Sequence, residues 1–383
     1  MKVISYVPHG SIPDIRGFAP ALIAYNLTKH MRFTTTYTIC NLEHYRQRVD
    51  YDARIGDIFR LHEGRIYRRL FRKITRLDPY PLHRRAAKIV NRISADIFHA
   101  HQIEFPVEDF LRALKRPMPV LIHVNAIRQF RPEYGLATKY ISASHYTKTK
   151  MIEAGYPQER IEVIYNGVDT NHFSPASAEE KTSLRAILGI PPDAMVLTYV
   201  GRKQETKGFH TFLQVVRKLS QEHRGIFAVS VGSALYHRDG NRDAIEKLLE
   251  ELKRDDVLLD LPPISHARLP AIYKISDIVL LPTQHGGEQH PAVVIEAQSS
   301  GCLILATSLA GIKESIEDGA TGFFLHDPGN VEAVAAKTSE VIKNHDKLQS
   351  VREAARRYAI ATFDWKKLAQ RLETLYFELA AES

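Results

Sequence analysis

Glu288 and Glu296 stand eight positions apart in the stretch LPTQHGGEQHPAVVIEA, residues 281–297. Paired carboxylates can serve as acid and as base or nucleophile on a glycosidic bond. The residues between them argue against that use. Pro291 suits the first turn of a helix, so Glu288 is expected on a loop and Glu296 inside the helix. About a turn and a half of helix at ~1.5 Å per residue then sets them apart, too far to flank a single bond. Each is expected instead to hydrogen-bond a different hydroxyl of one ligand. Gly286 and Gly287 allow the loop to bring backbone N–H groups close to an anion. The plain alternative is a solvated loop acid and an ordinary helix acid.

A second candidate is YVGRKQETKGF, residues 199–209. Arg202 and Lys207 flank a tight polar loop, with Gly201 and Gly208 as hinges. Two fixed cations near a helix start can grip a diphosphate, through the guanidinium fork and the ammonium point charge. Two solvated loop cations are the alternative. The loop matches neither the G-x-x-x-x-G-K-[ST] nor the G-x-G-x-x-G phosphate-binding pattern.

The elements that must position these residues follow a βαβα rhythm. MKVISYV, TTTYTICN, ADIFHAHQIEF, PVLIHVN and KYISAS read as strands with helical segments between them. The rhythm breaks at ERIEVIYNGVDTNHFSPASAEEK, rich in turn residues, and then restarts. MVLTYVG, GIFAVSVG, DDVLLDLP, DIVLLPT and CLILATS are strands, alternating with helices such as GFHTFLQVVRKLSQEH. That rhythm implies parallel sheets covered by helices. The expected organisation is an α/β protein of two Rossmann-like domains across a cleft. Residues 1–170 form the first and 171–363 the second, with an amphipathic helix over 364–383 packing back on the first. In open parallel sheets the loops after the strands line the ligand site.

Composition sets the outer bounds. With 383 residues, 44% hydrophobic and 25% charged, two soluble domains are expected. Cys40 and Cys302 are too far apart in sequence to suggest a metal motif or a disulfide framework. No secretion leader and no membrane span is expected. The net charge of +8 is concentrated. Arg54 to Arg92 carries twelve Lys/Arg against three Asp/Glu, a local excess of nine.

Several ordered pieces resemble the retaining glycosyltransferases of family 4, which have the GT-B fold. They are NGVDTNHFSP, GRKQETKG, SDIVLLPT, GGEQHPAVVIEAQSSGCLILATSLAGIKESIEDGATGFFL and FDWKKLAQRL. Together they span about residues 140–370. The resemblance implies a nucleotide-sugar donor, a UDP or GDP sugar, and a glycan or lipid-linked acceptor. It assigns Arg202 and Lys207 to the donor diphosphate, Glu296 to the ribose and Glu288 to the transferred sugar. It gives the nucleobase to the backbone at Ile264, and the phosphate cradle to Gly17, Ala292 and Val293. It implies no cofactor and no metal, since cations and a helix terminus neutralise the charge. Two departures stand out. Gly17 is single where the family usually has adjacent glycines. Asn125 stands where many members carry a histidine that meets the donor sugar, and the resemblance gives it that catalytic place; His123, two residues earlier, is the alternative. Asn can donate and accept hydrogen bonds but carries no proton for transfer. His101 and His123 are candidates for the acceptor side. A nucleotide-sugar epimerase or phosphorylase, and a basic surface-binding protein with an inactive GT-B fold, are the competing readings.

In the basic stretch, Ile66, Leu70, Ile74 and Leu77 fall at helical spacing with Arg68, Arg69, Arg72 and Lys73 around them. Such a helix can lie on an anionic membrane surface, or bury its stripe and leave a solvated basic face. The expected location is the cytoplasm, peripheral on the inner face of the plasma membrane. Nucleic acid would use the same charge, but no nucleic-acid module is present and none is expected as partner.

Overall fold

The structure is a computed structural model. It describes residues 1–12, 18–42, 45–62, 65–76, 78–79, 81–101, 105–131, 135–238 and 240–382. The chain divides into two compact units, residues 1–166 with 365–383, and residues 167–364. The sequence reading set its boundaries at 170/171 and 363/364.

The first unit contains β1 (Lys2–Val7), α1 (Ala19–Lys29), β2 (Thr35–Asn41), β3 (Val49–Asp52), β4 (Gly56–Leu61), α2 (Arg65–Thr75), α3 (Leu82–Ile93) and β5 (Ile97–Ala100). It continues with α4 (Val107–Arg112), β6 (Val120–His123), β7 (Lys139–Ser142), α5 (His145–Glu153) and β8 (Ile161–Val163). The second unit contains α6 (Ala178–Ile187), β9 (Met195–Val200), α7 (Phe209–Glu222), β10 (Ile226–Val231), α8 (Arg242–Arg254) and β11 (Leu258–Leu261). It ends with α9 (Leu269–Ile275), β12 (Ile278–Leu281), α10 (Ala292–Ser299), β13 (Leu303–Thr307), β14 (Phe323–Leu325), α11 (Val331–Lys343) and α12 (Gln349–Thr362). Helix α13 (Trp365–Ala381) returns to the first unit.

The first sheet runs β3-β4-β2-β1-β5-β6-β7-β8 and the second β11-β10-β9-β12-β13-β14. The expected parallel pairing holds except at one edge, where β3 lies antiparallel to β4. A three-residue turn joins β3 and β4, and a connection that short permits only antiparallel pairing.

The burial explains why these segments fold so. Strand β12, IVLL, is apolar without alternation and buried along its length, as a strand covered on both faces must be. In α7, Phe212, Val215, Val216 and Leu219 recur at helical spacing and all are buried. Helix α10 is buried from Val294 to Ser299, so it is a core helix rather than a surface one. In α13, Leu368, Leu372, Tyr376 and Leu379 form one stripe against Val3, Leu121 and Ile141 of the first sheet. Truncating Leu372 to alanine there is expected to cost about 2–5 kcal/mol.

Candidate functional site

In the second sheet, β10 and β11 lie on one side of β9, and β12 to β14 on the other. The strand order therefore reverses between β9 and β12. Parallel sheets open a crevice at the carboxyl ends of the strands at such a point. The loop after β9, residues 201–208, and the loop after β12, residues 282–291, flank it. These are the two segments singled out in the sequence.

The two loops are stitched together. Gln284 donates its backbone N–H to the Thr206 carbonyl at 3.1 Å, and its side-chain amide to Thr211 Oγ1 at 2.9 Å. Gly208 has φ +71°, and a Cβ there would stand 1.8 Å from the Pro282 carbonyl oxygen. It is therefore a point of close backbone contact, not the hinge expected from sequence. Gly286 and Gly287 lie in the loop before α10. Neither has positive φ, and a Cβ on Gly287 would meet only the His285 ring, at 3.5 Å. The smallness of Gly287 leaves room beside the loop; its backbone conformation does not require it.

The Lys207 ammonium pairs with the Glu288 carboxylate, and both side chains are mostly buried. The Glu288 carbonyl accepts from the Gly311 N–H at 3.0 Å. Glu288 is thus not a solvated loop acid, since each end of the residue is held. Burial first, and then the nearby Arg202 charge, push Lys207 down to about 8. The Glu288 carboxylate opposes that shift. Arg202 itself is exposed, and its carbonyl accepts from the Tyr199 hydroxyl at 2.7 Å.

Pro291 is the N-cap of α10, one position earlier than expected, and offers no side-chain cap. The first N–H groups of a helix have no intrahelical acceptor, and those of Ala292 and Val293 begin α10. With the positive end of the helix dipole they suit an anion. Glu296 is the fifth residue of the helix and buried. It accepts from the Tyr273 hydroxyl at 2.8 Å and meets His266 Nε2 at 3.0 Å. Burial, then the Glu296 charge, hold the Tyr273 phenol well above its usual range, so it stays a donor. A carboxylate has about four acceptor positions, so these two contacts leave capacity for ligand hydroxyls. Ile264 lies half-buried in the loop after β11.

The sequence reading missed three members of this region. Lys203, beside Arg202, is buried and donates to Asp260 Oδ1 at 2.5 Å and to the Leu261 carbonyl at 2.7 Å. It ties the loop after β9 to β11. His266 and Tyr273 hold Glu296 from α9 and the turn before it. Nothing in local spacing marks them, since they lie 30 and 23 residues away.

The remaining candidates belong to the first unit. Asn125 donates its side-chain amide to the carbonyls of His101 and His123, both at 3.3 Å. It fastens the ends of β5 and β6 to each other. The His101 and His123 rings are buried. Burial holds His101 well below its usual range, and His123 down to about 4. Gly17 lies outside the described residues. In α2, Arg69, Arg72 and Lys73 are exposed, while Arg68 pairs with Asp78. Leu70 is 57% exposed and Ile74 82%, so this part of the stripe does not face a core. Arg76 has φ +58° directly after the helix, which ends the stripe at Ile74; the Ile66 side chain and Leu77 lie outside the described residues.

Solved structures share this architecture. The chain superposes on a glycosyltransferase from Rickettsia africae with TM-score 0.78, at 19% identity, over 100% of this chain and 99% of that one. It superposes on HepE of Anabaena, crystallised with UDP, with TM-score 0.74, at 20% identity, over 99% and 100%. The fold is GT-B. Two family models match along the sequence: Glycosyltransferase Family 4 over residues 38–172, and Glycosyl transferases group 1 over residues 180–358. A lipopolysaccharide 1,2-N-acetylglucosaminetransferase of Salmonella typhimurium is 26% identical over 83% of this chain and 82% of its own length. A D-inositol 3-phosphate glycosyltransferase of Thermobispora bispora is 30% identical over 58% of this chain, and the match spans 51% of that relative. The chain belongs to the family-4-like glycosyltransferases of the GT-B type.

Proposed function

We propose that the protein transfers a sugar from a nucleotide sugar, with retention of configuration, to a glycan or lipid-linked acceptor. The observation that carries this is the placing of Lys207, Glu288 and the start of α10 on the two loops flanking the strand-order reversal. Lys207, Arg202 and the first N–H groups of α10 bind the donor diphosphate. Glu296, oriented by Tyr273 and His266, binds the ribose hydroxyls. Glu288 reads the sugar, and Ile264 the base. When the diphosphate arrives, the Lys207 ammonium divides its hydrogen bonds between Glu288 and the phosphate.

The acceptor oxygen attacks the anomeric carbon as the bond from that carbon to the diphosphate oxygen breaks. The acceptor's proton passes to the leaving phosphate on the same face. The protein contributes orientation and a fixed positive field. Lys207, Arg202 and the helix start neutralise the leaving charge, so this donor site needs no metal. Asn125 serves by holding β5 to β6 and, carrying no transferable proton, is not an acid or base. The Anabaena neighbour was crystallised with UDP-glucose, and the Salmonella relative is named for N-acetylglucosamine transfer. UDP sugars are therefore the first donors to try, then GDP sugars. The exposed Leu70 and Ile74 beside Arg69, Arg72 and Lys73 support docking of α2 on an anionic membrane, where a lipid-linked acceptor would lie. No helix of the described residues is long and apolar enough to cross a membrane.

Thermal shift with UDP, GDP, ADP and their sugars tests the donor site. A nucleotide at 100 times its Kd stabilises by roughly 2.7 kcal/mol. Stabilisation by one base over the others is expected, and its loss in Glu296→Ala. A flat response to all of them would overturn the reading.

A further inference from the structure

The first sheet also reverses its strand order, between β1 and β5. At the carboxyl end of β5 and β6 sit three histidines, His99, His101 and His123. All three are buried, and one ligand-capable atom from each lies within 4.8 Å of the others. Their rings are near-parallel, with centroids 4.3 to 5.6 Å apart.

The cluster is unusual for what it lacks. His99 Nε2, His101 Nδ1 and both His123 nitrogens have no hydrogen-bond partner among the described residues. Ser5 Oγ is in the same condition, and Ser5 pairs with His99 across β1 and β5. Buried polar atoms are nearly always satisfied, and a group of orphans this close calls for an explanation. Neutral histidines are the common ligands of transition metals, so a metal ion that accepts their lone pairs would satisfy them at once.

A second observation points the same way. His99 Nδ1 lies 2.6 Å from the Tyr376 hydroxyl of α13. With the proton on Nδ1, that contact orients the ring and leaves the Nε2 lone pair facing the cluster. Metal-binding histidines typically make such an outer hydrogen bond. Zinc–nitrogen bonds of about 2.0–2.1 Å in a tetrahedron separate ligand nitrogens by roughly 3.4 Å. Closing from 4.8 Å to that spacing calls for the His101 and His123 rings to turn about χ2, a soft torsion for histidine, while Tyr376 holds His99.

We propose that His99, His101 and His123 bind one divalent transition-metal ion of the zinc class, joining the ends of β5 and β6 and, through Tyr376, the returning helix α13. The fourth position is left to a small oxygen donor. All these residues belong to the first unit, whereas the donor-site residues Lys207, Glu288 and Glu296 belong to the second.

The test uses the full chain, stripped with EDTA and dialysed. Calorimetry with Zn2+ alone should give one site per chain, and Co2+ should give visible ligand-field bands that Zn2+ abolishes. Tyr376→Phe, which keeps the packing, should weaken zinc about 10–100-fold, the usual cost of losing an outer hydrogen bond. His101→Gln and His123→Gln should weaken it further, and His172→Gln in the second unit should not. Circular dichroism separates loss of binding from loss of fold. The cobalt spectrum of the wild type stands even if a variant fails to fold. No saturable site in the wild type, or equal binding by folded His101→Gln, would overturn the proposal.

Discussion

Lys207 offers a sharp test because its charge is poised. The amine sits near 8 in the free protein, lowered by burial and then by Arg202. The ammonium is present below that value and lost above it, so diphosphate binding that needs it must weaken as pH rises. For one group titrating at 8, the protonated fraction falls about tenfold between pH 7 and pH 9, equivalent to ~1.4 kcal/mol of binding. UDP titrates at both ends of that range, through its terminal phosphate and its uracil N3–H, and the titration curve of free UDP is used to correct for both. Calorimetry with UDP at pH 7, 8 and 9 should show the fall. Repeated in buffers of different ionisation enthalpy, it should show uptake of close to one proton at pH 9. Lys207→Met should bind more weakly at pH 7 and show no slope through 8. A wild-type affinity that does not move, or a slope that persists in Lys207→Met, would refute the assignment of Lys207 to the diphosphate.

Three further outcomes are expected. Glu296→Ala should raise the donor KM with little change in kcat, and should cost about 1–3 kcal/mol in stability by stranding the Tyr273 hydroxyl; unchanged KM in initial-rate assays would remove the ribose role. Gly208→Ala places a Cβ 1.8 Å from a carbonyl oxygen and forces a left-handed φ on alanine, so a loss of several kcal/mol in a urea melt is expected, on the order of the larger single-substitution effects; near-normal stability would mean that the loops are not locked there. Reversing Arg69, Arg72 and Lys73 to glutamate should abolish sedimentation with anionic liposomes and leave UDP binding unchanged; equal sedimentation of variant and wild type would remove α2 from membrane docking.

Much of the fold was legible because period and burial write themselves into sequence. The largely apolar runs of β9, β10, β12 and β13 read as covered parallel strands. The stripe Leu368, Leu372, Tyr376 and Leu379 marked α13 as a helix needing an apolar partner. The edge strand β3 was not legible: VDYD alternates over only four residues, too few to mark a strand, and its apolar Val49 and Tyr51 are exposed rather than turned to a core. At the site, Glu288, Glu296, Arg202 and Lys207 stood out by type and by their loops. Their partners did not. Lys203 reads as one more loop cation, yet it is buried against Asp260, 57 residues on. Tyr376 meets His99 across 277 residues. Such contacts are fixed by strand order and helix return, and no local pattern encodes them.

The most direct measurement is release of nucleoside diphosphate, followed by 31P NMR, from a panel of UDP and GDP sugars with the purified protein and a panel of glycan and lipid-linked acceptors to take the sugar. At least one donor should be turned over. Lys207→Ala and Arg202→Ala should slow that turnover by roughly 10²–10³-fold while remaining folded, the usual loss for one charge-stabilising group at the reacting centre. Turnover of that donor at the wild-type rate by both variants, or no turnover of any nucleotide sugar by the wild type, would contradict a sugar transferase working through these residues.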